Sequence, residues 1–158
     1  MVEGPAISDL FSRFAGSAKA KLLIHGSPSV SSVSLVDRLR SLNFEHVSPT
    51  DLISQEISRR TPFGLTAERK IRNGQTIAES DLLSLMRRWF WTRKPDAGFA
   101  LTGFPATLLQ AKVFDEWLDA RDEKLNGVFV FGNSLYSTLV DHYRTLGLLI
   151  QTEETTSR

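Results

Sequence analysis

The sequence predicts an α/β fold in which a five-stranded parallel sheet is covered by helices on both faces. Short apolar runs alternate with amphipathic segments, and the runs lack the every-second-residue polarity of a half-exposed strand. The chain has 158 residues, of which 41% are hydrophobic. This length favours one domain with a sizeable core. We therefore expect a single domain over 1–158, with an N-terminal extension over 1–20 and a flexible tail over 152–158.

The apolar runs define the strands in order. We predict strands near residues 21–25, 45–47, 98–102, 127–131 and 148–151, and the sequence GVFVF at 127–131 is the clearest of them. Parallel neighbours require crossover connections, which are right-handed in nearly all proteins.

Helical spacing and capping signals define the segments between the strands. In LVDRLRSL and the residues before it, Val33, Val36 and Leu39 form an apolar stripe. Ser48 is predicted to cap the next helix, and Pro49 fits its first position. Later helices are predicted over 65–73 with Gly74 as the stop, from Ser80, from Leu108, and up to Thr145 with Asn133 or Ser134 as the cap.

Composition excludes several classes of function. Nineteen Lys and Arg balance eighteen Asp and Glu, so no broad basic field is available for nucleic acid. No apolar run reaches the length of a membrane helix, and we expect a cytoplasmic protein. The chain has no cysteine, and His25, His46 and His142 show no metal-site spacing.

Ligands of open parallel sheets bind outside the carboxyl ends of the strands. The loops at that edge are 26–34, 48–51, 102–107 and 132–134. The first of them, GSPSVSSVS, lies between a predicted strand and a predicted helix, as a phosphate-binding loop does. The working pattern GxxxxGK[ST] needs a second glycine and a lysine. The chain has Gly26, Ser31, Ser32 and Val33 in their places.

Five segments in register resemble the adenylate kinase (nucleoside monophosphate kinase) family from about Lys21 almost to the end of the chain. They are LLIHGSPSVSSVS, HVSPTDLISQEI, TPFGLTAERKIRNGQTIAESDLL, GFALTGFPATLLQA and DHYRTLGLLI. The resemblance implies the P-loop NTPase fold, and for an active member it implies phosphoryl transfer between ATP and AMP with magnesium.

The resemblance also places substitutions at the reactive positions. Ser32 stands where the family has its phosphate-loop lysine, Ser29, Ser31 and Val33 replace neighbouring loop residues, and Ser34 keeps a hydroxyl. On the monophosphate side, Pro49 replaces a threonine and Ser54 an arginine. Thr102 replaces the magnesium-site aspartate, and Ala106 replaces a further arginine. The family's lid segment and its arginines are missing before HYRTLGLLI.

The nucleoside side of the resemblance is better kept. It implies a nucleoside pocket bounded by Gly64, Arg69, Gly74, Ile77, Gly103 and Gln110. By the same resemblance Gln110 contacts adenine. A competing interpretation of Gln110 from the pattern alone is an ordinary amide on a helix surface.

Three functions are open at this point. The first is a binding or interaction domain without catalytic residues or cofactor, whose partner is a protein or a weakly bound purine nucleotide. The second is an active kinase using ATP, AMP and magnesium with a relocated cation, from Lys19, Lys21, Arg69, Lys70, Arg72 or Arg144. The third is a hydrolase combining a serine of 27–34 with His25 or His46 and Asp51, although no G-x-S-x-G elbow is present.

Overall fold

The computed structural model of the chain describes residues 19–26, 37, 39–131 and 137–151. The strands are β1 (Lys21–His25), β2 (His46–Val47), β3 (Phe99–Thr102), β4 (Gly127–Val130) and β5 (Leu149–Gln151). The helices with full bounds in the described part are α1 (Pro49–Arg59), α2 (Pro62–Arg72), α3 (Glu79–Thr92), α4 (Leu108–Ala120) and α5 (Thr138–Thr145).

The strands form one sheet in the order β2-β3-β1-β4-β5, and every neighbouring pair is parallel. This confirms the predicted α/β class and all five strands, with strand ends within one residue of the predicted ones. After β1, the chain forms β2 and β3 on one side of β1, and then crosses to form β4 and β5 on the other side. The topology therefore reverses at β1, which is where open sheets form their ligand crevice.

The core lies on both faces of the sheet. On one face, Leu23 and Leu101 pack with Phe90 of α3, Phe114 of α4 and Tyr143 of α5. The opposite face of the sheet carries a separate cluster, whose buried members are Leu22, Ile24, Ala100, Phe129, Phe131, Ala20, Leu39 and Phe44. Residues 39–41 are helical, so the predicted stripe is confirmed at Leu39, whereas Val33 and Val36 lie outside the described residues.

Side-chain caps fix where the helices begin. Ser48 caps α1 as predicted, because its hydroxyl accepts the Asp51 N–H at 3.1 Å, and Pro49 is the first helical residue. α2 begins at Pro62, three residues before the predicted start, because Thr61 accepts the Gly64 N–H at 3.0 Å. α5 is capped by Ser137, so the prediction of Asn133 or Ser134 as the cap is wrong.

β4 ends at Val130 and α5 begins at Thr138, so only residues 131–137 connect them. A segment of that length has no room for an inserted lid domain, which agrees with the deletion inferred from the sequence. Within the described ranges, the helices are too short or too polar for any of them to cross a bilayer.

Candidate active site at the carboxyl edge of the sheet

The first loop leaves β1 in very close contact with the end of β4. Gly26 has φ +89°, and a Cβ there would lie 2.3 Å from the carbonyl oxygen of Phe131. Only glycine fits such an approach, so Gly26 allows the chain to turn directly after β1. Ser31, Ser32, Val33 and Ser34 lie outside the described residues, and their assignment to a degenerate phosphate loop stays a prediction from the sequence.

The connections at this edge carry no charge. The stretches of sequence that follow β1, β2, β3 and β4 are 26–36, 48, 103–107 and 131–137, of which 27–36 and 132–136 lie outside the described residues. None of them is Lys, Arg, Asp or Glu. In the described part of this edge, the connections after β2 and β3 are therefore neutral, while Asp51 in the first turn of α1 brings a carboxylate close to them.

A histidine and a threonine meet at the end of two neighbouring strands. Nε2 of His46 on β2 lies 2.8 Å from Oγ1 of Thr102, the last residue of β3. Nδ1 of the same ring lies 3.8 Å from Oδ2 of Asp51 in the first turn of α1. Burial lowers the pKa of His46, and Arg40 lowers it further, while Asp51 acts in the opposite direction.

This constellation differs from the serine site that the sequence suggested. The loop serines of 27–34 are outside the described residues, and the hydroxyl that His46 contacts belongs to Thr102. His25 does not join the group and ends β1 instead, where burial lowers its pKa. Sequence spacing hides the His46–Thr102 contact because it depends on β2 pairing with β3.

A small cavity of about 10 Å³, room for about one water molecule, lies beside this edge. It is lined by His25, Tyr143, Pro105, Phe104, Leu23, Ile24, Val128, Leu139 and Val140. The Tyr143 hydroxyl is buried and has no hydrogen-bond partner among the described residues, and burial raises its pKa. The lining is therefore apolar with two neutral polar groups, which is unlike a phosphate site.

Gln110 is buried, with 5% exposure, rather than lying on a helix surface. Its Oε1 accepts the N–H of Ala106 at 2.7 Å, and its Nε2 lies 3.5 Å from a carboxylate oxygen of Glu79. Both ends of the amide are thus engaged within the protein, where they hold the loop before α4 against the start of α3.

The other residues of the predicted nucleoside pocket differ in what surrounds them. Gly64 is buried where α2 crosses α1, and a Cβ there would lie 2.1 Å from the Glu56 carbonyl oxygen. Gly74 ends α2 with φ +73° and no atom near its Cβ position, as predicted for a helix stop. Gly103 and Arg69 are exposed, and Ile77 is partly buried.

Over the aligned segments, curated relatives are identical to this chain at about a third of the positions. An adenylate kinase of Hydrogenobaculum sp. (strain Y04AAS1) is 32% identical over 90 residues, which is 57% of this chain and 42% of the relative. An adenylate kinase of Moorella thermoacetica is 34% identical over 87 residues, which is 55% of this chain and 40% of the relative. The chain is similar to adenylate kinases.

The similarity to adenylate kinases confirms the resemblance drawn from the motifs and agrees with the α/β P-loop NTPase-like fold. The matched segments span about two fifths of the length of these relatives. No protein-family model matches the chain.

The relocated cations considered for an adenylate kinase reaction are not all near the carboxyl edge. Lys21 is the first residue of β1, and its Nζ lies 2.5 Å from Asp96, which also pairs with Lys19 at 3.3 Å. Both lysines are thus at the amino end of the strand. Arg144 pairs with Asp141, one turn earlier on α5. The basic residues of α2 remain, and among them Arg72 lies 3.7 Å from Glu68.

A metal centre of the usual composition is not formed within the part of the chain that the structure describes. No group of three or more His, Asp or Glu side chains comes together there. At the position where the adenylate kinase resemblance places a magnesium-site aspartate, the chain has the hydroxyl of Thr102, which already contacts His46.

Proposed function

We propose that this adenylate-kinase-like domain does not transfer phosphoryl groups and acts as a binding or interaction domain. The observation that carries the proposal is the absence of charged residues from the sequence of the connections after β1, β2, β3 and β4. Phosphoryl transfer depends on positive charge and magnesium placed around the phosphates. Connections without charged residues supply no positive charge to the phosphates and no carboxylate to magnesium.

The substitution at Thr102 supports the same conclusion. Magnesium in nucleotide sites is held through carboxylates together with phosphate oxygens and water. Thr102 has a neutral hydroxyl, and Ser32 and Ala106 remove two more charges that the resemblance assigns to phosphate binding. Because one arginine finger alone is worth about 10³–10⁵ in related reactions, these losses together remove useful turnover.

The partner is a protein or a weakly bound purine nucleotide. A purine that uses Gln110 has to displace its bonds to Ala106 or Glu79, which disfavours tight binding. Titration with AMP up to millimolar concentration, followed by amide chemical shifts around Gly103 and Gln110, separates the two partners. Shifts at both residues support the purine, and their absence favours docking of a protein.

The alternative is an active nucleoside monophosphate kinase that uses a relocated basic residue. The similarity to adenylate kinases and the basic residues Arg69, Lys70 and Arg72 on α2 favour it. Only this alternative requires ATP, AMP and magnesium.

A coupled assay for ADP formed from ATP and AMP tests the proposal on the purified chain, with no turnover above background as the expected result. Turnover near the roughly 1–10³ s⁻¹ of ordinary enzymes would overturn it. Loss of such turnover in Arg69→Ala, with Arg59→Ala as a control at the end of α1, would identify the relocated cation. Calorimetry provides a second test, because sub-micromolar ATP affinity would also contradict the proposal.

A further inference from the structure

The contact between His46 and Thr102 has the geometry of a hydroxyl beside its general base. Their distance of 2.8 Å is that of a hydrogen bond, and a base must lie this close to the proton that it removes. Thr102 ends β3 and is a partly exposed residue, whereas the His46 side chain is only 12% exposed. The residue that carries the hydroxyl therefore reaches the protein surface, and the imidazole is mostly buried.

Asp51 lies on the Nδ1 side of the His46 ring. Its carboxylate oxygen lies 3.8 Å from Nδ1, which is an ion-pair distance and too long for a hydrogen bond. A carboxylate on that side favours the tautomer with hydrogen on Nδ1, which leaves Nε2 to accept the Thr102 hydroxyl proton. The Asp51 side chain is 59% exposed, so a rotamer change that shortens the distance meets little packing.

The protonation state also suits a base. Burial lowers the pKa of His46 from 6.5, so the imidazole is neutral at pH 7.

The backbone of Asp51 is fixed in the first turn of α1, because its N–H donates to Ser48. The three groups thus come from β3, β2 and α1, in the order hydroxyl, imidazole, carboxylate that activates nucleophiles on unrelated folds.

We propose that Thr102, His46 and Asp51 form a catalytic group that hydrolyses small uncharged carboxylic esters. The substrate class follows from the described surroundings: the connections directly after β2 and β3, residues 48 and 103–107, contain no charged residue, and the exposed Asp51 carboxylate nearby disfavours an anionic substrate. Thr102 is the nucleophile, His46 the general base and acid, and Asp51 the residue that positions the ring.

The reaction balances without a cofactor. Oγ1 of Thr102 bonds to the ester carbonyl carbon while Nε2 of His46 takes the hydroxyl proton. The tetrahedral intermediate then loses its alkoxide, which His46 protonates as it leaves. Water attacks the acyl-threonine, gives one proton to Nε2 and releases the carboxylic acid. That proton returns to Oγ1.

The test uses the full chain with 4-nitrophenyl acetate as the probe. We expect nitrophenol release and one acetyl group on Thr102, located by peptide mass spectrometry after acid quenching. Thr102→Ala should abolish the label, and Thr102→Ser should keep it. His46→Gln should slow acetylation about 100-fold or more, the usual value of a positioned general base. The wild-type rate should rise with pH to a plateau, with its midpoint below 6.5.

Two control variants separate activation from general reactivity. Thr92 has a hydroxyl that donates to the Arg88 carbonyl and not to an imidazole. The Nε2 of His142 lies 2.7 Å from the Asp115 carboxylate and not beside a hydroxyl. Thr92→Ala and His142→Gln should acetylate at the wild-type rate. Thermal unfolding of every variant checks that it is folded.

Acetyl groups only on lysines or on other histidines would overturn the proposal. An unchanged rate at Thr102 in folded His46→Gln would do so as well, and the contact would then serve only to join β2 to β3. A wild-type acetylation rate that shows no midpoint below pH 6.5 would exclude His46 as the base.

Discussion

Gly64 lies where α2 is closest to the backbone of α1. We predict that Gly64→Ala destabilises the protein by about 1–3 kcal/mol, because the new methyl group would meet the Glu56 carbonyl oxygen at 2.1 Å and force the helices apart. Helix propensity alone would give the opposite sign, since alanine exceeds glycine by roughly 0.5–1 kcal/mol inside a helix. Urea unfolding measures the sign directly.

Alanine at Ser58, an exposed position of α1, is the matched control for this substitution. It should change the free energy of unfolding by no more than about 0.5 kcal/mol. A Gly64→Ala variant as stable as the wild type would mean that α1 and α2 can separate without cost.

Two residues show where single-residue patterns stop being informative. Ser48 could be predicted as a cap because its bond to Asp51 is local. The role of Gln110 could not, because its burial depends on the loop at Ala106 and on Glu79 from a different helix. Likewise His46 was visible as a histidine beside Asp51, but Thr102 joins it only through the strand pairing.

At the scale of elements, a buried ionic group ties the end of α3 to the end of α4. The Glu123 side chain is 2% exposed and lies 2.5 Å from Arg93 and 3.4 Å from Arg121, each 9% exposed. It also accepts the Asp96 N–H at 2.9 Å, and the Arg93 guanidinium carbon lies 4.3 Å from the centre of the Phe90 ring. Arg93 and Asp96 precede β3, and Arg121 and Glu123 precede β4, so the group lies at the amino end of the sheet.

We predict that Glu123→Gln destabilises the protein by about 3–5 kcal/mol, because two buried guanidinium groups lose their counter-charge. Asp122→Asn, at the exposed neighbouring position, should stay within about 0.5 kcal/mol of the wild type. Chemical denaturation of the two variants compares them. Equal stability would show that water or Asp96 replaces Glu123 as the partner.

The strands could be predicted from the sequence better than the residues at which the helices begin. Continuous apolar runs predict buried parallel strands because both faces are covered, and all five strands form where the sequence predicts them. Helix starts were harder, since several hydroxyl residues compete for each cap. Thr61 and Ser137 cap α2 and α5 although other positions had suitable side chains or spacing.

For the whole molecule, we predict that stability falls as the pH drops below 6.5. Burial lowers the pKa of His25 and His46 in the folded state, so the unfolded chain takes up protons first and becomes favoured. Each histidine contributes up to about 1.4 kcal/mol per pH unit between its folded pKa and 6.5. Burial raises the pKa of Asp115 above 3.8 in the folded state, so the folded chain takes up this proton first. Asp115 therefore adds to stability as the pH falls towards 3.8, which is opposite in sign to the histidines.

Urea unfolding at pH 7.5, 6.5 and 5.5 measures this dependence. His25→Gln and His46→Gln should each flatten the profile, and the double variant should flatten it most. A profile that keeps its slope in the double variant would assign the effect to other groups.

We also predict that Ser32→Lys alone gives no adenylate kinase activity. The substitution adds one ammonium group, but Ser31, Val33, Thr102 and Ala106 still lack the glycines, carboxylate and arginine that act with it in the resemblance. Groups that work as one unit are non-additive in catalysis. The coupled ADP assay decides it, and turnover in this single variant would mean that the remaining scaffold is still competent.

The lack of charged residues in the connections after β2 and β3 has a consequence for how binding there responds to salt. Ions screen interactions between charges over roughly 10 Å at 0.1 M ionic strength, and they leave contacts between neutral groups almost unaffected. A ligand seated on the connections directly after β2 and β3 would be held by packing and by hydrogen bonds to backbone and hydroxyls. Its affinity should therefore stay nearly constant as salt is raised, whereas attraction of anions to a basic phosphate loop would weaken.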